Sequence, residues 1–138
     1  INASGRIVGS SGVLGVTGQR AYRSFGPLSE FDNLGTPQDT GSSEAFDIND
    51  LNEVVGRATF VISGAAQTRA FLRGSAGSLN QGFRDLGVLA GGNQSSAQSI
   101  NNHGHVVGWS RTTSFGANRA VLWLNNGQMR NLNDSSLV

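Results

Sequence analysis

Three copies of one pattern fill this 138-residue chain, and a fixed period decides the fold class before any single residue is weighed. The segment Ile1-Asn2-Ala3-Ser4-Gly5-Arg6-Ile7-Val8-Gly9 returns as Ile48-Asn49-Asp50-Leu51-Asn52-Glu53-Val54-Val55-Gly56. It returns again as Ile100-Asn101-Asn102-His103-Gly104-His105-Val106-Val107-Gly108. A second block reads Arg20-Ala21-Tyr22, Arg69-Ala70-Phe71 and Arg119-Ala120-Val121, and a third reads Asn33-Leu34-Gly35, Asp85-Leu86-Gly87 and Asn131-Leu132-Asn133. The order of the blocks never changes. The chain therefore reads as one β-repeat domain, 1–138, with units at roughly 1–42, 43–94 and 95–138.

Within each unit the apolar residues come in short β-branched and aromatic runs bounded by Gly, Asn and Ser, and nothing sustains a helical period. Four strands, a to d, are expected per unit; in the second they fall near residues 45–49, 53–58, 69–73 and 82–86. The a–b connection reads Asn-x-x-Gly in copies one and three. Asparagine opens such a turn by hydrogen-bonding its own backbone, and the last position calls for a positive φ. Gly5 and Gly104 suit that position. Asn52 stands there in copy two, and asparagine is one of the few residues with a side chain that tolerate the left-handed region.

Composition narrows the partners. Charged residues are 14%, and 20 glycines against two prolines describe an ordered, turn-rich chain. Ten arginines, no lysines and nine acids give a net charge of +1 with no basic block, so the electrostatic footprint of a nucleic-acid binder is missing. The absence of cysteine removes disulfides, thiolate metal sites and a cysteine nucleophile. No apolar run approaches the ~18–20 residues of a membrane span. The first residues carry neither an initiator Met nor a basic leader, so a soluble chain, processed or cut from something longer, is expected.

Four antiparallel strands per ~40–50 residues is the unit of a β-propeller blade. Three blades do not close, because propellers carry about 4–8. The expected architecture is thus all-β: three blades forming half of a six-bladed ring, closed by a homodimer or higher oligomer through open edges. The alternative is a closed monomeric threefold fold, a β-trefoil or β-prism.

The same blocks resemble the HAF family of bacterial extracellular repeats, whose units run like S-x-A-x-x-I-N-x-x-G-x-V-V-G-x-S, then R-A-F-L-W, then G-x-M-x-D-L-G-x-L-G-G. Residues 96–109, 119–132 and 85–92 carry the resemblance best, and it covers essentially the whole chain. Copy one departs from it at Thr36-Pro37-Gln38 and copy three at Asn133-Asp134. The resemblance implies a propeller-like fold and an extracellular or cell-surface location in bacteria. It implies no catalytic residue.

Candidate functional residues fall into three groups. The b–c loops, expected at 10–19, 59–68 and 110–118, and the d–a loops at 36–42 and 88–95 share one face and are rich in neutral hydrogen-bonding side chains. With Phe60, Trp109 and Phe115 as nearby aromatic platforms they suit sugars, although solvated polar loops are also the norm. His103 and His105, at i and i+2, with the run Asp47, Asp50 and Glu53, form the candidate set for a divalent metal. The histidine pair lacks a placed third ligand, the acidic run lacks EF-hand spacing, and turn chemistry explains both more simply. Arg20, Arg69 and Arg119 recur immediately before strand c. Converged, they would grip a carboxylate or phosphate; singly, they cap loop carbonyls or pair with acids of their own unit, Asp32 and Asp85 being the natural partners.

No G-x-S-x-G motif or orienting acid for the histidines is present. The expected function is a secreted, non-enzymatic β-repeat module for binding and assembly, with a polar loop face for a glycan or other extracellular ligand. The alternative is a hydrolase, metal-assisted through the histidines and acids above, with its site at a chain or dimer interface.

Overall fold

The structure is a computed structural model and describes residues 1–24, 31–74, 82–134 and 136. Its described elements are all strands: β1 (Val8–Gly12), β2 (Gln19–Ser24), β3 (Phe31–Gly35), β4 (Ser43–Ile48), β5 (Val54–Ile62), β6 (Ala65–Arg73), β7 (Arg84–Asp85), β8 (Ser95–Ile100), β9 (Val106–Arg111), β10 (Asn118–Trp123) and β11 (Met129–Asn131). They form three sheets, β1-β2-β3, β4-β5-β6-β7 and β8-β9-β10-β11, in which every neighbour is antiparallel. Each sheet is a meander of one repeat, and among the described residues no strand is shared between sheets to close a barrel. The sheets stack in chain order, with β1 and β2 against β4, then β8 against β4, β5 and β6.

The b–c connection of the second unit differs from the expected loop at residues 59–68. Those residues extend β5 and β6 into one long hairpin, paired from Val54↔Arg73 out to Ile62↔Ala65. Its turn is Ser63-Gly64, with φ of 51° and 79°. Positive φ at both central positions matches the right-handed twist of the flanking strands, which keeps the ladder paired to its tip. The β-branched and aromatic run Thr59-Phe60-Val61-Ile62 before a Ser-Gly pair is a hairpin signal that the polar residues around it obscured.

The recurring glycine after the two valines has a steric cause. Strand a bulges between Ala45 and Asp47 in the second sheet and between Ala97 and Ser99 in the third. The bulge brings a carbonyl onto the neighbouring strand: a Cβ on Gly56 would lie 1.9 Å from the Glu44 carbonyl oxygen, and one on Gly108 2.0 Å from that of Ser96. Only glycine fits there.

Alternation along the strands divides each sheet between two cores. Val54 and Phe71 face back to the first sheet and pack with Ala21, Leu34, Ala45 and Ile48. Val55, Ala70 and Leu72 face forward and pack with Ala97, Ile100, Val106 and Val121. Each fully buried Val or Phe contributes about 1.5–3 kcal/mol, so these two junctions hold most of the apolar stabilisation. A buried serine completes each junction. The Ser43 hydroxyl accepts from the Ala21 N–H at 2.9 Å and donates to the Gly35 carbonyl, and Ser95 repeats this with Ala70 at 2.9 Å and Gly87 at 2.7 Å. In the third sheet the Ala120 N–H is satisfied instead by Asn133 Oδ1 at 2.8 Å, within its own repeat.

Candidate functional site

A meander with short a–b turns places those turns at one end of the stack, and the b–c and d–a connections at the other. The turn end is a hydrogen-bonded ladder. Asn101 Oδ1 accepts from the N–H groups of His103 and His105, both at 3.0 Å, and Asn49 Oδ1 does the same for Leu51 and Glu53. The expected positive φ is present at the fourth position of all three turns: 75° at Gly5, 63° at Asn52 and 73° at Gly104. The amide nitrogens then reach across. Asn2 Nδ2 donates to the Asn49 carbonyl at 3.0 Å, and Asn49 Nδ2 donates to the Asn101 carbonyl at 3.1 Å.

The acids of the metal candidate set serve this ladder. Asp47 Oδ2 accepts from the Ser99 hydroxyl at 2.6 Å and the Ile100 N–H at 2.8 Å. Asp50 accepts from the Ala3 N–H at 2.7 Å and Asn102 Nδ2 at 2.8 Å, while Glu53 accepts from Asn49 Nδ2 at 2.6 Å. The Ala3 N–H, followed by the Asn102 amide, holds the Asp50 carboxyl below the usual aspartate range. The His103 and His105 rings lie 6.1 Å apart between centroids. Among the described residues no group of three His, Asp or Glu side chains gathers as a metal would require, so the histidine pair gains no third ligand.

The three repeated arginines have different surroundings. Arg20 is buried and donates to the Gln19 and Gly41 carbonyls at 3.0 and 2.7 Å. Arg69 pairs with Asp85 at 3.1 Å and braces against Gln67. Arg119 is exposed. The expected partner of Arg20, Asp32, is taken by Arg23 at 3.2 Å. Arg23 is 1% exposed and also donates to the Asn52 and Gly74 carbonyls, at 3.2 and 3.3 Å, which ties the first sheet to the second. Sequence reasoning missed it because only the first copy carries arginine three residues after the repeated one, whereas the second carries it four after, as Arg73. Arg73 donates to the Leu34 carbonyl and lies 5.1 Å over the Phe83 ring; burial lowers its pKa most, Asp32 opposing and Arg23 adding to that.

At the loop end a cleft of about 290 Å³ opens between the second and third sheets. Ser42 and Gln94 come from the two d–a connections, Thr59 and Thr68 face each other across the β5–β6 hairpin, and Trp109 comes from β9. Glu44 and Arg57 form its charged side, with Nε–Oε1 at 3.0 Å and Nη2–Oε1 at 2.9 Å. That pair is too exposed to add much stability, but it orients a guanidinium with donors to spare. Phe115 is 100% exposed on the β9–β10 loop and does not line this cleft. The cleft combines neutral donors and acceptors, one fixed ion pair and one tryptophan.

The fold and this cleft define an all-β repeat protein made of three serially stacked antiparallel meanders. Over residues 1–135 the sequence matches the family described as "Protein of unknown function (DUF3466)", and the chain belongs to it. No curated protein and no solved structure matches.

Proposed function

We propose that this chain is a non-enzymatic, propeller-type repeat module whose sheets act as consecutive blades and whose loop-end cleft binds a neutral extracellular glycan. The observation that carries the reading is the cleft itself, where Trp109 meets Thr59, Thr68, Gln94 and the Glu44–Arg57 pair. Sugars are bound by an apolar aromatic surface beside fixed hydrogen-bonding groups, and about 290 Å³ sits just below the usual ~300–1,000 Å³ of small-ligand sites. The serial stacking of one three-stranded and two four-stranded meanders supports the blade reading. The resemblance to HAF repeats supports an extracellular or cell-surface setting.

Tryptophan fluorescence gives the test. The chain has two tryptophans, and Trp123 is only 2% exposed, so a ligand-dependent change in emission reports on Trp109. Titration with a panel of neutral oligosaccharides is expected to yield a saturable change that Trp109→Ala abolishes and Thr68→Arg weakens at least tenfold. A panel without any saturable response, or one whose response survives Thr68→Arg, contradicts the glycan reading.

A further inference from the structure

The two junctions inside the chain differ at their turn ends. In the first, the chain supplies both charges itself: Arg23 on β2 pairs at 3.2 Å with Asp32, its cross-strand neighbour on β3. The same guanidinium donates to the Asn52 carbonyl at the fourth position of the turn, and Arg73, at the end of β6, reaches back to the Leu34 carbonyl. In the second junction the register puts Leu72 in the place of Arg23, Arg84 in that of Asp32 and Trp123 in that of Arg73. A leucine stands for the cation, and an arginine for the carboxylate.

The result is a hollow of about 80 Å³ beside the third a–b turn, walled by Leu72, Leu86, Val106 and Trp123 and edged by Glu53 and Arg84. Its polar groups are unmatched. Trp123 is 2% exposed, and its Nε1 has no acceptor among the described residues. Arg84 pairs with none of the described carboxylates, although its guanidinium spans to the third sheet, where a Cβ on Gly127 would lie 3.3 Å from Nη2. Among the described residues the Gly104 carbonyl, in the place of Asn52, receives no donor, and Glu53 is engaged only at Oε2, by Asn49.

Two donors thus lack an acceptor and two acceptors lack a donor, with one charge of each sign at the edge. A lone anion satisfies the indole and Arg84 but faces Glu53. A lone cation faces Arg84 and leaves the buried indole N–H unpaired, at the full cost of its desolvation. The space equals the share of about two to three water molecules, too little for a sugar ring. We infer that this hollow binds a small zwitterionic amino acid of the size of glycine or alanine. Its carboxylate accepts from Trp123 Nε1 and Arg84, and its ammonium group donates to Glu53 and the Gly104 carbonyl. The ligand brings to the second junction the carboxylate and the cation that Asp32 and Arg23 bring to the first. The site is separate from the loop-end cleft, with which it shares no lining residue.

NMR of the 15N-labelled chain tests this, because Trp109 and Trp123 give its only two indole signals and Trp109→Ala assigns them. Titration with glycine or alanine is expected to shift the Trp123 indole signal saturably. Acetate and methylammonium, each carrying one of the two charges, are expected to bind at least tenfold more weakly. Arg84→Gln, at an exposed position, is expected to weaken glycine at least tenfold while the rest of the spectrum stays in place. Acetate or methylammonium binding as tightly as glycine, or a shift that survives Arg84→Gln, would overturn the proposal. So would an indole proton in contact with water that neither amino acid moves, the result expected of a hollow that holds solvent alone.

Discussion

Asn2 and Asn49 each use one side chain twice, and Asn101 uses its oxygen in the same way. The oxygen closes a turn, and the first two nitrogens reach the next sheet. The first role was legible in the Asn-x-x-Gly spacing; the second was not, because a sequence shows which residues repeat but not how far apart the repeats stack. Asp50 illustrates the same limit, standing out as a metal candidate when its oxygens serve the ladder. Its folded pKa lies below the unfolded one, so its contribution is whole above the ordinary aspartate value of about 3.9 and is lost as pH falls through the depressed folded value. An NMR titration of its carboxyl carbon is expected to give a midpoint below that of the acid-unfolded chain; an equal or higher midpoint contradicts the contacts. Arg23 is the residue on which the first junction most depends. Arg23→Ala removes the ion-pair partner of Asp32 and the Arg23 donor from the half-buried Asn52 and Gly74 carbonyls. Urea denaturation is expected to show a loss of about 3 kcal/mol, and a loss below about 0.5 kcal/mol, the range of ordinary surface changes, would contradict that role.

At the scale of elements, strand a explains the Val-Val-Gly motif. Gly108 faces a bulged strand whose carbonyl would sit 2.0 Å from an added Cβ, while Gly9, in the three-stranded first sheet, has nothing within 4 Å. The same substitution should therefore differ sharply between copies. Gly108→Ala is expected to cost at least about 2 kcal/mol by overpacking, and Gly9→Ala to stay within about 0.5 kcal/mol. Thermal melts of the two variants check this, and equal shifts would contradict the bulge as the cause. The tight a–b turns make a parallel case: Gly104→Val, at φ 73°, is expected to lower stability by about 1–2 kcal/mol. The strands were legible because their periods and bounding turn residues are local. The long β5–β6 hairpin was not, since Ala65-Ala66-Gln67-Thr68 has little strand character alone and pairs because Thr59 to Ile62 lie opposite it.

For the whole molecule, the repeat alone foretold three β units, and the sheets begin where two of the unit boundaries were drawn, at Ser43 and Ser95. The cleft beside Trp109 needed the stacking as well, because Thr59, Thr68 and Gln94 come from separate segments. The central claim is that the three sheets stack in chain order, turn upon turn. The chain contains no cysteine, so pairs can be introduced cleanly. Ala3 touches Asp50 and Asp50 touches Asn102 at successive turns, so Ala3→Cys with Asp50→Cys calibrates cross-linking within the chain. Ala3→Cys with Asn102→Cys, two turns apart in the stack, is the control. Mild oxidation is expected to cross-link the first pair within a single chain and to leave the second pair free; a cross-linked second pair within one chain, or no product from the first, would contradict the serial stack.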